Sequence, residues 1–311
     1  MDSSTPSMPK NAREAENLYY YYLHQESQEV LYKEILPIWF RNFRDNLPYI
    51  KKSKYDLING WEKKSDNVIV FCAGPSHKKV NIQTLKKFDG DIIGTNKTLK
   101  FLYKHGIKPA CILGLDAAEV MIKSFKFHHS DEAIRGQKFY FATVLSPTAV
   151  KYVLKHGGDI YWGNPEIPNF DNGQEIMEIM APVGLIRHGG NVGSMGVWLS
   201  YLLKYKNIGV VGMDMGVTPS RKWSPAEAGM YKYYWIPWRN KMMALNAVFM
   251  AYLGEFSMMV RDISSKKEGY MAYVQNLTPG SMLELINAWP TRTLEDFVAN
   301  PDIEYTYFEH I

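Results

Sequence analysis

Short apolar runs alternate with longer amphipathic stretches through the middle of the chain. Several of the short runs are apolar at consecutive positions, such as Val68-Ile69-Val70-Phe71, which is typical of strands covered on both faces. The alternation predicts βαβ units around a mostly parallel sheet, that is, a doubly wound, Rossmann-like α/β fold. The predicted strands are 67–72, 91–94, 110–115, 138–142, 159–162, 184–187, 207–212 and 256–262, and the predicted helices are 97–105, 147–155, 193–204 and 239–253.

The two ends of the chain have a different pattern from the middle. Residues 1–13 are polar and contain prolines, which predicts a disordered tail. Residues 14–64 have helical spacing with dense aromatic residues, which predicts an N-terminal helical extension. The Rossmann-like domain then covers residues 65–265, and residues 266–311 form a C-terminal extension that we expect to pack on it.

Composition and charge narrow the classes of function. The 46% hydrophobic and 22% charged shares are those of an ordinary folded globular protein. The net charge of +4 comes from lysines spread along the chain, which argues against a nucleic-acid partner and suits a small anionic ligand. No apolar run reaches the ~18–20 residues that span a bilayer, and the start lacks a signal-peptide pattern, so we predict a cytoplasmic protein without a transmembrane segment. Cys72 and Cys111 lie in strand contexts and are predicted to be buried free thiols.

Polar loops follow the predicted strands, at the sheet edge where ligands of open parallel sheets bind. After the first strand, Gly74 would let backbone amides approach an anion, Pro75 would fix a tight turn, and Ser76 could donate to phosphate. The alternative is an ordinary turn in which Ser76 caps a helix. After the second strand, Asn96 offers a donor and an acceptor to a base or sugar, or it caps the next helix.

The stretch from Arg187 to Gly196 is the richest in glycine. Four glycines within eight residues suit backbone contact with phosphate, although the stretch matches neither the dinucleotide-binding pattern nor a Walker loop. The alternative is that two of these glycines only allow close packing of a helix on the sheet. The predicted nucleotide contacts here are Gly189, Gly190, Asn191, Gly193 and Ser194.

Two acids and one histidine are the candidates for catalysis. Asp116 and Asp214 each follow a buried strand, so together they could hold Mg²⁺ or divide the roles of acid and base. His188 precedes the glycine-rich stretch and is the third candidate for a general base. For Asp116 the alternative is a cap on the next helix.

The order of these motifs resembles the family of MptE-like proteins and motility accessory factors (Maf). That family includes archaeal 6-hydroxymethylpterin diphosphokinases and bacterial flagellin glycosyltransferases. The resemblance covers about residues 65–265. The matching motifs are Gly74-Pro75-Ser76, Ile93-Gly94-Thr95-Asn96-Lys97-Thr98-Leu99, Gly106-Ile107-Lys108-Pro109, Leu115-Asp116, Phe141-Ala142-Thr143 with Pro147, Gly189-Gly190-Asn191-Val192-Gly193 and Val211-Gly212-Met213-Asp214.

The same loops are similar to those of bacterial sialyltransferases that use a CMP-activated sugar. That resemblance implies nucleotide contacts by Gly74, Ser76, Asn96 and Ser194. Those enzymes use a late histidine as general base, whereas the only histidine after His188 is His310, so the base stays unassigned among Asp116, Asp214 and His188.

The pterin diphosphokinases carry an Asp-Leu-Asp-Gly-like turn and a His-Gly-Asp-type loop. This chain has Gly114-Leu115-Asp116-Ala117 and Ala142-Thr143-Val144-Leu145-Ser146 at those places, so its acidic metal-binding equipment is reduced. The difference favours the glycosyltransferase-like branch.

The first hypothesis is therefore a nucleotide-dependent transferase, a Maf-like glycosyltransferase with a CMP-activated sugar of the nonulosonic or sialic-acid type. The second is an ATP-dependent diphosphotransferase acting on a pterin, with Mg²⁺ held by Asp116 and Asp214. The third is a nucleotide-binding accessory protein without turnover. No cofactor is firmly implied outside the ATP-dependent case. The expected partners are a nucleotide or nucleotide-sugar and an acceptor that is a protein, a glycan or a pterin; self-association is left open.

Overall fold

The computed structural model describes residues 35–167, 171–216, 233–238, 241–265, 270–285 and 290–302. The predicted tail and the first part of the N-terminal extension lie outside these residues. The described strands are β1 (Asn67–Phe71), β2 (Asp91–Thr95), β3 (Cys111–Gly114), β4 (Lys138–Ala142), β5 (Asp159–Pro165), β6 (Leu185–Ile186), β7 (Asn207–Val211), β8 (Tyr233–Trp238), β9 (Lys241–Asn246) and β10 (Tyr273–Asn276). The described helices are α1 (Leu36–Asn46), α2 (Lys54–Asn59), α3 (Ile82–Lys86), α4 (Leu99–Lys104), α5 (Ser130–Ile134), α6 (Pro147–Lys155), α7 (Asp171–Met180), α8 (Val192–Leu202), α9 (Ala247–Ser264) and α10 (Leu294–Ala299).

Eight of these strands form one sheet in the order β10-β7-β1-β2-β3-β4-β5-β6. Every neighbouring pair in it is parallel, which confirms the predicted Rossmann-like α/β fold. After β1, the strands β2 to β6 are added one after another on one side of β1. The chain then crosses back, and β7 pairs with β1 on its other side. The strand order therefore reverses between β1 and β7, and the carboxyl ends of these two strands form the switch point where such sheets bind ligands. Strands β8 and β9 pair separately and antiparallel.

The sheet is buried on both faces, as its consecutive apolar residues predict. In β1, Val68 and Val70 belong to a larger apolar cluster on the face that α8 covers, whereas Ile69 and Phe71 belong to a second cluster on the other face. A Cβ built on Gly196 of α8 would lie 2.7 Å from Val70 Cγ1. Glycine at this position therefore lets α8 lie close against the centre of the sheet.

The predicted strand 256–262 is wrong, because these residues belong to α9. Their buried side chains are Phe256, Met259, Val260 and Ile263, which repeat with the helical period rather than along a strand. A short continuous apolar run fits a buried helix as well as a strand, so the pattern alone does not separate the two. The predicted helix 239–253 is also displaced, since the described residues from Lys241 to Asn246 form β9.

Residues within the predicted C-terminal extension add a strand to the sheet. Strand β10 pairs in parallel with β7, with Tyr273 opposite Asn207. Helix α10 packs on the face opposite α8, where Leu294 and Phe297 join the cluster of Ile69 and Phe71. Strand β10 and helix α10 thus cover the outer side of β7 and help to form the edge of the sheet next to the switch point.

Helix α1 is tied to the carboxyl edge of the sheet by two buried asparagines one turn apart. The Nδ2 of Asn42 donates to the carbonyls of Ala117 (2.9 Å) and Val144 (3.0 Å). The Nδ2 of Asn46 donates to the carbonyls of Thr143 (2.9 Å) and Leu145 (2.8 Å). Two side-chain amides therefore provide partners for four carbonyls in the loops after β3 and β4.

We predict that Asn46→Ala destabilises the protein by about 2 kcal/mol, because two buried carbonyls lose their donor. Urea unfolding of the full chain measures the change. The control is Asn59→Ala at the exposed end of α2, which should alter the free energy of unfolding by less than about 0.5 kcal/mol. Equal effects of the two substitutions would contradict this role of Asn46.

Candidate functional site

The loops after β1 and β7 are joined by backbone hydrogen bonds. The N–H of Cys72 donates to the carbonyl of Val211 (2.8 Å), and the N–H of Gly74 donates to the carbonyl of Gly212 (2.7 Å). Gly212 has φ +72°, and a Cβ built on it would lie 2.3 Å from the carbonyl oxygen of Cys72. Only glycine fits this crossing of the two loops.

The side chain of Asp214 shapes the turn after β1. Its Oδ2 accepts hydrogen bonds from the Ser76 N–H (3.1 Å) and the Ser76 Oγ (2.8 Å). A Cβ built on Gly74 would lie 2.2 Å from the same oxygen. Pro75 then begins a 3₁₀ helix, Pro75–Lys79. The structure therefore brings together three predicted ligand contacts and one predicted catalytic acid.

The glycine-rich stretch contains Asn191, which is the N-cap of α8. The Oδ1 of Asn191 accepts from the Ser194 N–H (2.9 Å), and its Nδ2 donates to the Ser194 Oγ (2.7 Å), so Asn191 caps the helix in the ordinary way. Gly189 and Gly190 have φ values of +49° and +79°. A Cβ on Gly190 would lie 2.2 Å from Cε1 of Tyr252, so the loop passes directly against α9.

The first turn of α8 lies over the carboxyl ends of β1 and β7. A Cβ built on Gly193 would be 2.9 Å from Cys72 Sγ and 3.1 Å from Met213 Sδ. The first N–H groups of a helix have no partner within it and carry a partial positive charge. The arrangement therefore places the positive end of the α8 dipole at the switch point.

The thiols beneath the sheet edge are inert. Both Cys72 and Cys111 are buried and free, as predicted. Burial, together with the negative charge of Asp214, raises the pKa of the Cys72 thiol to about 12. At neutral pH this thiol stays protonated and is not a nucleophile.

Asn96 and Asp116 lie farther along the same edge, after β2 and β3, and bond locally. Asn96 is buried and its Nδ2 donates to the Ser124 Oγ (3.1 Å). Asp116 is exposed, and its Oδ1 accepts from the Ala118 N–H (2.9 Å). The next helical segment, Glu119–Ser124, begins after Ala118 without a side-chain cap, so Asp116 shapes the turn before that segment and does not cap it. Within the described ranges, no group of three or more histidine, cysteine, aspartate or glutamate side chains is placed to hold a metal ion. A magnesium site at Asp116 and Asp214 stays a prediction.

The surroundings of His188 favour a structural role over that of a general base. Its Nδ1 accepts from the Gly190 N–H (3.0 Å), and its Nε2 donates to the carbonyl of Glu166 (3.0 Å). Burial lowers its pKa to about 4. Because both ring nitrogens are engaged and the ring is neutral at pH 7, the imidazole holds the glycine-rich loop rather than taking a proton from a substrate.

Residues near the C-terminus also build this edge, although none was among the predicted contacts. The Oγ1 of Thr278 accepts from the Gly212 N–H (2.9 Å). The N–H of Met282 donates to the carbonyl of Asp214 (2.9 Å), and Asn276 Oδ1 accepts from the Thr278 N–H (3.0 Å). The sequence pattern that could have identified these residues is a polar turn directly after the apolar start of β10. The same pattern marks the other loops of the site.

These loops follow one another in the order expected from the family resemblance. A comparison with a sequence model of the family shows that the chain is a member. The sequence model of the family described as 6-hydroxymethylpterin diphosphokinase MptE-like matches residues 41–220. The chain belongs to the MptE-like family. The match begins within α1 of the MptE-like chain and ends just after Asp214, so it includes the switch point.

One solved structure supports the fold of this MptE-like protein. The Maf glycosyltransferase from Magnetospirillum magneticum AMB-1 superposes with a TM-score of 0.56 at 14% sequence identity, over 74% of this chain and 34% of that chain. This chain therefore spans about a third of the length of that relative. An α-2,3-sialyltransferase from Campylobacter jejuni in apo form matches at 14% identity over 78% of this chain and 85% of that chain, with a TM-score of only 0.35.

No curated protein matches by sequence. In the part of the chain that is described, no helix has both the length and the apolar character needed to cross a bilayer.

We predict that Gly212→Ala is far more damaging than Gly106→Ala. Both residues have positive φ, +72° and +67°, but the Cβ built on Gly106 meets nothing within 4 Å. The Gly106 variant should lose about 1 kcal/mol from backbone strain alone, whereas the Gly212 variant should lose roughly 3 kcal/mol or more. Urea unfolding measures both, and similar losses would contradict the close crossing of the two loops.

The pH dependence of stability should report His188. Its pKa falls from 6.5 to about 4 on folding, so the unfolded chain binds the proton more tightly and stability falls as the pH drops through this window. Between pH 7 and pH 5 this group should remove about 2 kcal/mol from the free energy of unfolding. His188→Gln should abolish that part, and His128→Gln at an exposed position should leave it. An unchanged pH profile in His188→Gln would contradict the buried neutral ring.

Proposed function

We propose that this MptE-like chain binds a nucleotide at the switch point and transfers the sugar from a nucleotide-sugar of the CMP type. The observation that carries the proposal is the first turn of α8, which lies against the carboxyl ends of β1 and β7 through Gly193, Cys72 and Met213. Helix α8 is eleven residues long, so its N-terminus carries a partial positive charge, and the glycine at its second position brings that end close against the strand ends.

The phosphate of the donor belongs between the turn at Gly74-Pro75-Ser76 and the capped start of α8. The Ser76 N–H and hydroxyl both donate to Asp214, and the Asn191 Nδ2 donates to Gly189 and Ser194, so the turn and the cap are organised before a ligand enters. To hold the phosphate, Ser76 and Asn191 would exchange these partners for phosphate oxygens while the loops that carry them stay in place. Asn96, one strand along, would read the base or the ribose after exchanging its bond with Ser124.

The chemistry requires a group that takes a proton from the acceptor hydroxyl. Asp214 is half-buried and already accepts two hydrogen bonds from Ser76, which suits it to shaping the turn. Asp116 is exposed at the end of β3 and uses one oxygen to accept a local backbone bond. We therefore assign the role of general base to Asp116, with Asp214 as the residue that positions the donor site.

The family description favours a second candidate, diphosphoryl transfer from ATP to a pterin-like alcohol. That reaction needs Mg²⁺ beside the phosphates, and Asp116 with Asp214 would be its ligands. The chain has Gly114-Leu115-Asp116-Ala117 where the pterin diphosphokinases carry an Asp-Leu-Asp-Gly-like turn, which is why sugar transfer ranks first. The acceptor, whether protein, glycan or pterin, belongs to the same proposal, as does a binding role without turnover.

Binding of nucleotides to Asp116→Asn separates the candidates. For sugar transfer, CMP and CDP should raise the Tm of the wild-type chain by several degrees, with or without Mg²⁺, and the Asp116→Asn variant should bind them equally well while losing hydrolysis of a CMP-sugar by roughly 100-fold or more. Differential scanning fluorimetry and release of CMP measure the two effects. The matched control is Asp131→Asn, an exposed acid on α5.

Two results would contradict sugar transfer. One is a Tm shift by ATP that requires Mg²⁺ and disappears in Asp116→Asn, with no shift by CMP or CDP; this result would establish the diphosphokinase reading. The other is tight CMP binding with no release of CMP from any CMP-sugar tested, which would favour a binding protein without turnover.

A further inference from the structure

The edge of the sheet at β6 carries a concentration of exposed apolar side chains. Helix α7 presents three of them at positions i, i+3 and i+4, so they share one face of the helix. We call the set the β6-edge surface. Its members are Tyr55 (54% exposed), Ile176 (53%), Ile179 (80%), Met180 (54%) and Leu185 (38%).

Both parts of the β6-edge surface are held by contacts with the body of the protein. The opposite side of α7 is anchored by buried Met177 and by Glu178, whose Oε1 accepts from Asn164 Nδ2 (2.5 Å). Lys54 links Tyr55 to Leu185, because its Nζ donates to the Leu185 carbonyl (2.8 Å) and lies 5.1 Å from the centre of the Tyr55 ring. The apolar side chains therefore project from a fixed platform and do not arise from a frayed segment.

The exposed area is that of a small interface. The five residues leave on the order of 500 Å² of largely apolar surface in contact with water, within the ~300–600 Å² of the largest apolar patch on a typical monomer, which is often functional. Burying this area on two copies removes about 1,000 Å² in total, which is the lower limit of a specific protein interface. A second copy of the same surface is thus large enough to cover it.

Charges around the surface also suit a second copy. Glu175 is exposed on α7 beside Ile176, and Glu178 lies near enough to Lys54 to interact with it electrostatically. In a two-fold symmetric contact one surface must complement itself, so it needs both signs of charge. An amphipathic helix that binds anionic lipid carries lysines or arginines on its polar face, whereas α7 contains neither.

We propose that the β6-edge surface is the interface of a two-fold symmetric dimer of this chain. In that dimer the apolar face of α7 packs against the same face of the second copy, with Glu175 and Lys54 at the margin of the contact. The interface leaves the carboxyl ends of β1 and β7 uncovered, so the proposal is independent of the proposed transfer reaction.

Light scattering after size-exclusion chromatography of the full chain tests the dimer. At micromolar concentrations the wild type should elute with twice the mass of one chain. Ile179→Glu should elute as a monomer, with the dissociation constant weakened roughly 100-fold or more. Val120→Glu is the matched control, since Val120 is 55% exposed on the separate segment Glu119–Ser124, and this variant should stay dimeric.

The Tm of Ile179→Glu, extrapolated to low protein concentration, should equal that of the wild type, which excludes unfolding as the reason for a monomer. A wild-type monomer throughout the micromolar range would overturn the proposal, as would a dimer that persists in both Ile179→Glu and Ile176→Glu. Sedimentation of a monomeric wild type with vesicles of phosphatidylglycerol and phosphatidylcholine would also overturn it and assign the surface to a membrane.

Discussion

The hydrogen bonds between the loops that leave β1 and β7 are the constraint on which the rest of the carboxyl edge depends. Gly74 and Gly212 let the two backbones approach, and their N–H to carbonyl bond of 2.7 Å fixes the distance. Everything else is placed relative to this crossing. Asp214 reaches Ser76 because of it, and α8 lies over Cys72 and Met213 because glycine at position 193 adds no side chain between them.

The groups proposed to bind a ligand and the groups proposed to move a proton come from different parts of the backbone and side chains in this MptE-like protein. The helix end and the glycines that would receive a phosphate use backbone groups, so they persist in any sequence that keeps the glycines and the cap. The groups that would move a proton are side chains, and each of them also makes a hydrogen bond within the protein. Asp214 bonds to the turn at Ser76, Asp116 accepts from a nearby backbone N–H, and His188 bonds to the backbone beside the glycine-rich loop. Such a site can change its reaction while keeping its ligand class.

Much of the fold follows from the sequence, and the failures have identifiable causes. Strands such as β1 and β4 were predictable because they are buried on both faces and bounded by turn residues. The pattern failed at α9, where Phe256 to Val260 looks like a strand until the wider spacing of buried residues is known. Strand β10 was missed because it is only four residues long and two of its three buried residues, Gln275 and Asn276, are polar, so it lacks an apolar run.

The candidate site was predictable to the extent that each loop follows a strand. The loops at Gly74 and Asp214 meet as their positions after parallel strands imply. The local pattern carries no information on which partner a polar side chain chooses. Asp116 and His188 have the residue types of catalytic groups, yet their hydrogen bonds run to Ala118, Gly190 and Glu166.

The two asparagines of α1 couple this helix to loops that lie far away in the chain. Asn42 and Asn46 bond to carbonyls that are 75 to 102 residues later. The four carbonyls keep these donors only while α1 lies on the loops after β3 and β4. A displacement of α1 would therefore leave buried acceptors without partners at the carboxyl edge of the sheet, so the position of this helix and the shape of those loops are linked.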